Sequence, residues 1–117
     1  MNFEQAKSLC RSFPGVREDT KWGNDLVFTV GEKMFAVTNL GEASGMSFKV
    51  EDERFLELTD RPGIIPAPYL ARAKWVYVED ANALGDEEAA QLLRRAYELV
   101  LAKLTKKLQR EIGGGAA

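Results

Sequence analysis

The stretch LVFTVGEKMFAVTN, residues 26–39, decides the fold of this 117-residue chain. Two runs rich in β-branched and aromatic side chains, 26–30 and 33–39, flank the dipeptide Gly31-Glu32. A two-residue connection with glycine first is typical of the tight turn of a β-hairpin, because glycine adopts a positive φ without steric cost. The stretch therefore predicts two antiparallel strands joined by a short turn.

Strand patterns continue on both sides of this hairpin. Residues 46–50, MSFKV, alternate apolar with polar side chains after a glycine-bounded loop at 40–45, which predicts a third strand with one buried and one wet face. The polar segment 17–22 is typical of an edge strand that completes an antiparallel meander. The β-rich run 74–78, KWVYV, follows an apolar crossover at 64–70 and is expected to join the same sheet.

Helical periodicity marks the segments around the sheet. Residues 2–12 place apolar side chains three and four positions apart before Pro14-Gly15 stops the pattern. Residues 51–58 indicate a second, short helix that ends before a proline and a glycine. Its inward side chains are expected to be Phe55, Leu56 and Leu58.

The closing segment predicts one long amphipathic helix. Asp86 suits its N-cap, an apolar stripe runs as far as Leu108, and the glycines at 113–115 end it. Together these patterns predict an α+β domain in the order α-β-β-β-(β)-α-β-α, with an antiparallel sheet of about four to five strands packed against helices. Residues 1–112 form this single domain, and residues 113–117 are a disordered or frayed tail.

Composition excludes several classes of function. The chain has no histidine, which removes the usual general acid/base and the commonest metal ligand. Its one cysteine, Cys10, lies in the apolar pattern of the first helix, which favours a core position over a nucleophile. We therefore expect a protein that is not an enzyme and holds no cofactor. No transmembrane or signal segment is recognisable, so we expect it to be cytoplasmic.

Charge is distributed unevenly although the net charge is only −2. Residues 1–60 carry 7 basic and 11 acidic groups, whereas residues 61–117 carry 9 basic and 7 acidic groups. A surface that attracts anions is thus expected in the second half. The acidic runs at 79–80 and 86–88 are attributed to capping and solvation, because metal ligands must converge and not merely be neighbours. The sequence pI of about 5.2 limits any nucleic-acid binding to weak, salt-dependent contacts.

Short motifs in a fixed order link the chain to a known family. They are Pro14-Gly15, Trp22, Gly31 with Lys33 and Phe35-Ala36, Lys49, Pro66-Ala67 with Tyr69-Leu70, Trp75-Val76, Tyr97, Leu99-Val100 and Lys103-Leu104. In order and spacing they resemble the MmcQ/YjbR-like family over nearly the whole chain. The resemblance implies a bacterial protein with a CyaY-like α+β fold, related in architecture to frataxin, in which two hairpins form a double wing. A DNA-binding function is implied with it.

The chain departs from the pattern of that family at two positions. Lys74 stands where a histidine is frequent before the tryptophan, and Ala96 stands where a serine is frequent before the tyrosine of the last helix. A role that depends on either polar group is therefore not carried over to this chain.

Basic residues give the first candidate surface. The expected phosphate contacts are Lys33, Lys49, Arg72, Lys74, Lys103, Lys106, Lys107 and Arg110. The last four share one side of the predicted long helix, because Lys106, Lys107 and Arg110 follow Lys103 at spacings of three, four and seven. The alternative is that these four only complement the helix dipole and keep an exposed face soluble.

The aromatic residues of the 74–78 strand give the second candidate surface. Trp75 and Tyr77 point to the same side of the sheet, because side chains alternate along a strand. If that side also carries Lys49, Trp75 can stack nucleic-acid bases beside cationic groups. The alternative is that the long helix covers both rings and they are core aromatics.

Two functions follow from these surfaces and both stay open at this point. The first is a weak, non-enzymatic DNA-binding domain that contacts phosphates without strong sequence specificity. The second is a protein-interaction or small-ligand-binding module that uses the open sheet face around Trp75 and Tyr77. A continuous positive patch favours the first function, and an apolar sheet face ringed by carboxylates favours the second. We expect a monomer or weak dimer without membrane association.

Overall fold

The computed structural model describes residues 1–39, 45–68 and 70–114. The helices are α1 (Phe3–Ser12), α2 (Asp52–Thr59), α3 (Asp86–Leu101) and α4 (Lys106–Gly114). The strands are β1 (Val16–Lys21), β2 (Asp25–Val30), β3 (Lys33–Asn39), β4 (Met46–Lys49), β5 (Ile64–Pro66) and β6 (Trp75–Val78). Short 3₁₀ turns lie at Ala71–Ala73 and Ala81–Ala83. Apart from Gly45, the predicted loop at 40–45 lies outside the described residues, as does the end of the predicted tail.

All six described strands form one antiparallel sheet in the order β1-β2-β3-β4-β6-β5. The predicted α+β class is confirmed, as are the 26–39 hairpin and the polar edge strand β1. The sheet has one strand more than the sequence indicates, because the apolar crossover contains β5. This strand of three residues, Ile64–Pro66, pairs with β6 at the far edge of the sheet.

One face of the sheet is covered by α1, α2 and α3. Phe28, Ala36, Phe48 and Val76 are register partners on four neighbouring strands, and all four are fully buried on this face. Tyr97 of α3 packs on the same core and donates a 2.6 Å hydrogen bond from its hydroxyl to the carbonyl of Pro14. Stability therefore resides mainly on this helix-covered face.

The opposite face, called here the second face, follows from the same register. Val27, Val37, Ser47, Tyr77 and Ile65 are successive partners across five strands. Because side chains alternate along each strand, this row points away from the helices. The second face therefore carries apolar side chains that the helix-covered core does not use.

The sequence prediction of one long closing helix is wrong. Helix α3 ends at Leu101, and α4 begins at Lys106 after a turn that contains Lys103. The hydroxyl of Thr105 accepts a 3.1 Å hydrogen bond from the backbone N–H of Leu108, so this side chain caps a new helix. At the start of α3 the N-cap is Gly85, and Asp86 lies in the first turn.

Leu56 is a second correction. The side chain of Leu58 is fully buried against the sheet, but Leu56 is 77% exposed and was expected to turn inward. Two positions along a helix correspond to a rotation of about 200°, so these leucines point in opposite directions. On a helix as short as α2, only one of them can reach the core.

The α3–α4 turn and α4 pack against two turns in which glycines leave room for them, the α1–β1 turn at Gly15 and the β2–β3 turn at Gly31. A Cβ atom on Gly31 would lie 2.6 Å from Cδ1 of Leu104, and one on Gly15 would lie 2.8 Å from Cγ2 of Ile112. Gly31 and Glu32 both have positive φ, 55° and 68°, as a two-residue turn of the type I′ class requires. The β2–β3 turn thus packs on one side against Leu104 and Leu108, whereas Glu32 and Lys33 remain exposed.

We expect Gly31→Ala to lower the free energy of unfolding by about 2–4 kcal/mol. The strain of a positive φ costs about 1 kcal/mol, and the new methyl group must also displace Leu104. Gly23→Ala is the matched control, because Gly23 also has a positive φ, 85°, but no atom lies within 4 Å of its added Cβ. Urea denaturation measures both variants, and equal losses would show that Leu104 does not press on this turn.

Candidate binding groove

The basic residues predicted to contact phosphate do not form one stripe. Lys106, Lys107 and Arg110 are exposed on α4, but Lys103 lies in the turn before that helix. Lys33 is exposed at the start of β3, beside the turn that packs against Leu104. The set is therefore divided between elements whose directions differ.

Lys49, Arg72 and Lys74 lie together near one end of β6, where two of the three have local contacts. Lys49 donates a 2.7 Å hydrogen bond from Nζ to the carbonyl of Ala73. Partial burial lowers its pKa, and the charge of Lys103 lowers that pKa further. Nζ of Lys74 lies 5.1 Å from the centre of the Phe55 ring. Arg72 remains exposed.

Trp75 does not provide a stacking platform. Trp75 is the cross-strand partner of Lys49, and both side chains lie on the second face. Because α3 covers the other face, the interpretation that α3 covers this ring is wrong. The ring is nevertheless only 5% exposed. The chain folds back beside it. The backbone N–H of Trp75 donates to the carbonyl of Leu70, and the backbone carbonyl of Trp75 accepts from the N–H of Ala67. Nucleic-acid bases therefore have no access to this tryptophan.

A groove of about 490 Å³ lies on the second face. The described residues that line it are Trp22, Asp25, Met34, Val37, Ser47, Pro68 and Leu70. They come from the β1–β2 turn, from three neighbouring strands and from the segment after β5. Because the lining is mainly apolar and the sheet beneath it is rigid, the groove is suited to hold an apolar body.

Trp22 is the most exposed tryptophan in the described chain, with 70% of its surface accessible. It lies in the turn between β1 and β2 with a φ of 52°, a conformation that costs a non-glycine residue about 1 kcal/mol or more. Sequence reasoning included Trp22 only as a family motif and missed it as a site residue. A tryptophan followed by glycine between two strands, where a small polar residue is usual, is the signal that could have found it.

Asp25 and Ser47 supply the polar groups of the groove. Both are half-buried, and neither side chain forms a hydrogen bond or an ion pair with another described residue. Lys21, the register partner of Asp25 on β1, is exposed and forms no ion pair with it. An apolar groove whose carboxylate and hydroxyl have no side-chain partner among the described residues can recognise a ligand by both shape and charge.

The described residues offer little for covalent or metal chemistry. Cys10 is buried in the core, and burial raises the pKa of its thiol to about 12, so it stays protonated and unreactive at neutral pH. Within the described ranges, no three His, Cys, Asp or Glu side chains converge in a metal-binding arrangement. No described helix is long and apolar enough to cross a bilayer.

Comparison with known proteins agrees with this architecture. The family model described as YjbR matches residues 11–99. The chain belongs to the YjbR family. The crystal structure of the Deinococcus radiodurans protein DR2400, with a DUF419 domain, is similar over 96% of this chain and 88% of that one, with a TM-score of 0.82 and 30% identity.

A second solved structure shares the fold of this YjbR domain. It is a Pseudomonas syringae protein with a TM-score of 0.69 and 23% identity, and the match covers 86% of this chain and 99% of that one. No curated protein matches the chain significantly. The solved relatives therefore support the fold, and the groove has to be interpreted from its own residues.

We expect the two tryptophans of this YjbR domain to differ in their quenching by acrylamide. Trp22 is 70% exposed and Trp75 is 5% exposed, so Trp22→Phe should remove most of the quenchable emission. Trp75→Phe is the matched control and should leave it in place. Stern–Volmer titrations measure both variants, and an unchanged slope in Trp22→Phe would contradict the assignment of Trp22 as the accessible ring.

Proposed function

We propose that this YjbR domain is a non-catalytic module that binds a small, mainly apolar ligand in the groove on its second face. The observation that carries the proposal is the exposed ring of Trp22, held in a left-handed backbone conformation at an apolar groove of about 490 Å³. Cavities of roughly 300–1,000 Å³ accommodate ligands of drug-like size. The proposed role is binding, and the thiol of Cys10, whose pKa burial raises to about 12, takes no part in it.

The energetics of Trp22 support a binding role. An exposed aromatic ring adds little to folding, and the positive φ of this residue is a cost. A ligand that covers the ring recovers apolar burial, with about 0.5–1.5 kcal/mol more from aromatic stacking. The remainder of the ligand would contact Met34, Val37 and Leu70 on the floor and side of the groove.

We expect the neutral fluorophore Nile red to gain emission when it binds this groove. Trp22→Gly should weaken its binding by about 3–10-fold, because the ring is lost while glycine accepts the positive φ of this position. Leu56→Ala is the matched control, since it removes a leucine that is 77% exposed and does not line the groove. A fluorescence titration measures each affinity. Absence of binding, or an equal loss in Leu56→Ala, would contradict the proposed site.

Weak DNA binding is the second candidate function. It is favoured by the proximity of Lys103 to Lys49, which is close enough for one charge to lower the pKa of the other, and by the exposed Lys106 and Lys107 of α4. Two features count against it. Lys49 already donates to Ala73, and the Trp75 ring is buried, so the surface offers charge without a stacking partner.

Titration of labelled DNA at about 50 and 200 mM salt tests this second candidate. Weak binding that falls steeply with salt and disappears in the variant K103E/K106E/K107E would support it. The control R17E/K21E/R94E makes the same change in net charge on β1 and α3. Equal losses in both variants would indicate a general charge effect, and no binding at the lower salt concentration would remove DNA from consideration.

A further inference from the structure

We propose that the groove selects a small ligand that carries a positively charged ammonium group on an apolar body. This inference rests on the proposed function, because it specifies the chemistry of the ligand in the same groove. Asp25 is the one ionisable side chain among the described residues that line the groove, and it is half-buried there. A ligand cation would supply the charge partner that this carboxylate lacks within the described chain.

The side chains near Asp25 also favour a positively charged ligand. The indole of Trp22 also lines the groove, and tryptophan is the aromatic residue that attracts cations most strongly over its face. The hydroxyl of Ser47, two strands away from Asp25, adds a polar oxygen that can accept a hydrogen bond from another part of the ligand. A carboxylate and an aromatic face in the same groove thus both favour a cationic ligand.

The lysines near the groove do not remove its preference for a cationic ligand. Lys21 pairs with Asp25 in the strand register, but its side chain is exposed and no ion pair joins the two. Lys49 lies two positions after Ser47 on the same face, and its ammonium group is bound to the carbonyl of Ala73. Neither lysine lines the groove. A ligand carboxylate or phosphate would therefore meet the charge of Asp25 inside the groove, whereas both lysines lie outside it.

The apolar residues determine the rest of the ligand. Met34, Val37, Pro68 and Leu70 offer only hydrocarbon and thioether surface. A volume of about 490 Å³ accommodates an aromatic or branched aliphatic body of moderate size. The ligand class is therefore an amine with an apolar body, in contrast to the polyanion that the DNA-binding interpretation requires.

Three ligands that share a naphthalene body test this inference: naphthylethylamine, naphthylethanol and naphthylacetic acid. At neutral pH they carry a positive, a zero and a negative charge. We expect calorimetry to show that the amine binds about 3–10-fold more tightly than the alcohol, and that the acid binds most weakly. Asp25→Asn should abolish the advantage of the amine over the alcohol.

Asp19→Asn is the matched control. Asp19 lies on β1 on the same face of the sheet and does not line the groove, so its substitution should leave the preference for the amine intact. Equal affinities for amine and alcohol in the wild type, or tighter binding of the acid, would overturn the inference about ligand charge. Neither result would contradict the proposal that the groove binds a ligand. An equal effect of Asp19→Asn and Asp25→Asn would overturn the role of Asp25.

Two further outcomes concern the proposed function itself. If none of the three ligands and no Nile red binds, the groove is not a ligand site, and the inference fails with the proposed function. Sedimentation of the wild type and of Trp22→Gly tests a second copy of the chain as the occupant. Self-association that depends on Trp22 would overturn the small-ligand assignment, and a monomer in both cases supports it.

Discussion

The register of the antiparallel sheet is the constraint on which the rest of the structure depends. Because side chains alternate along a strand, the buried row from Phe28 to Val76 also determines which residues point the other way. A slip of one residue in β4 would bring Ser47 into the core and expose Phe48. Packing of the core on the helix-covered face opposes such a slip. The same packing therefore also fixes the positions of the groove residues on three strands, which lie on the opposite face.

Much of this architecture could be predicted from the sequence, and the exceptions have local causes. The hairpin at 26–39 and the strand of Met46 and Phe48 have strong periodic signals, and the structure confirms them. The break before α4 arises from one hydroxyl, that of Thr105, which competes with the continued helix by capping a new one. Strand β5 has only three residues, too few for periodicity to show, and it exists because β6 offers a free edge for pairing.

The candidate site was harder to predict because its parts are distant in sequence. Trp22 and Asp25 come from the first hairpin, whereas Leu70 comes from the segment after β5, and only the folded sheet brings them together. Sequence reasoning centred one candidate surface on Trp75 and left open whether this ring is exposed or in the core; it lies on the same face as the groove but is only 5% exposed. Exposure depends on how the backbone at Ala67 and Leu70 folds back beside Trp75, and periodicity does not contain this information.

Three described residues other than glycine have a positive φ, and comparison of them shows why Trp22 is distinctive. Glu32 completes a two-residue hairpin turn, and Lys74 closes a 3₁₀ turn by donating to the carbonyl of Ala71, so the backbone geometry accounts for both. The side chain of Glu32 is exposed, and that of Lys74 is half-buried with its ammonium group over the Phe55 ring. Trp22 also occupies a turn, but there a polar residue would avoid the cost of exposing an indole to water. The turn accounts for the backbone, and the exposed indole is the feature that the proposed ligand would cover.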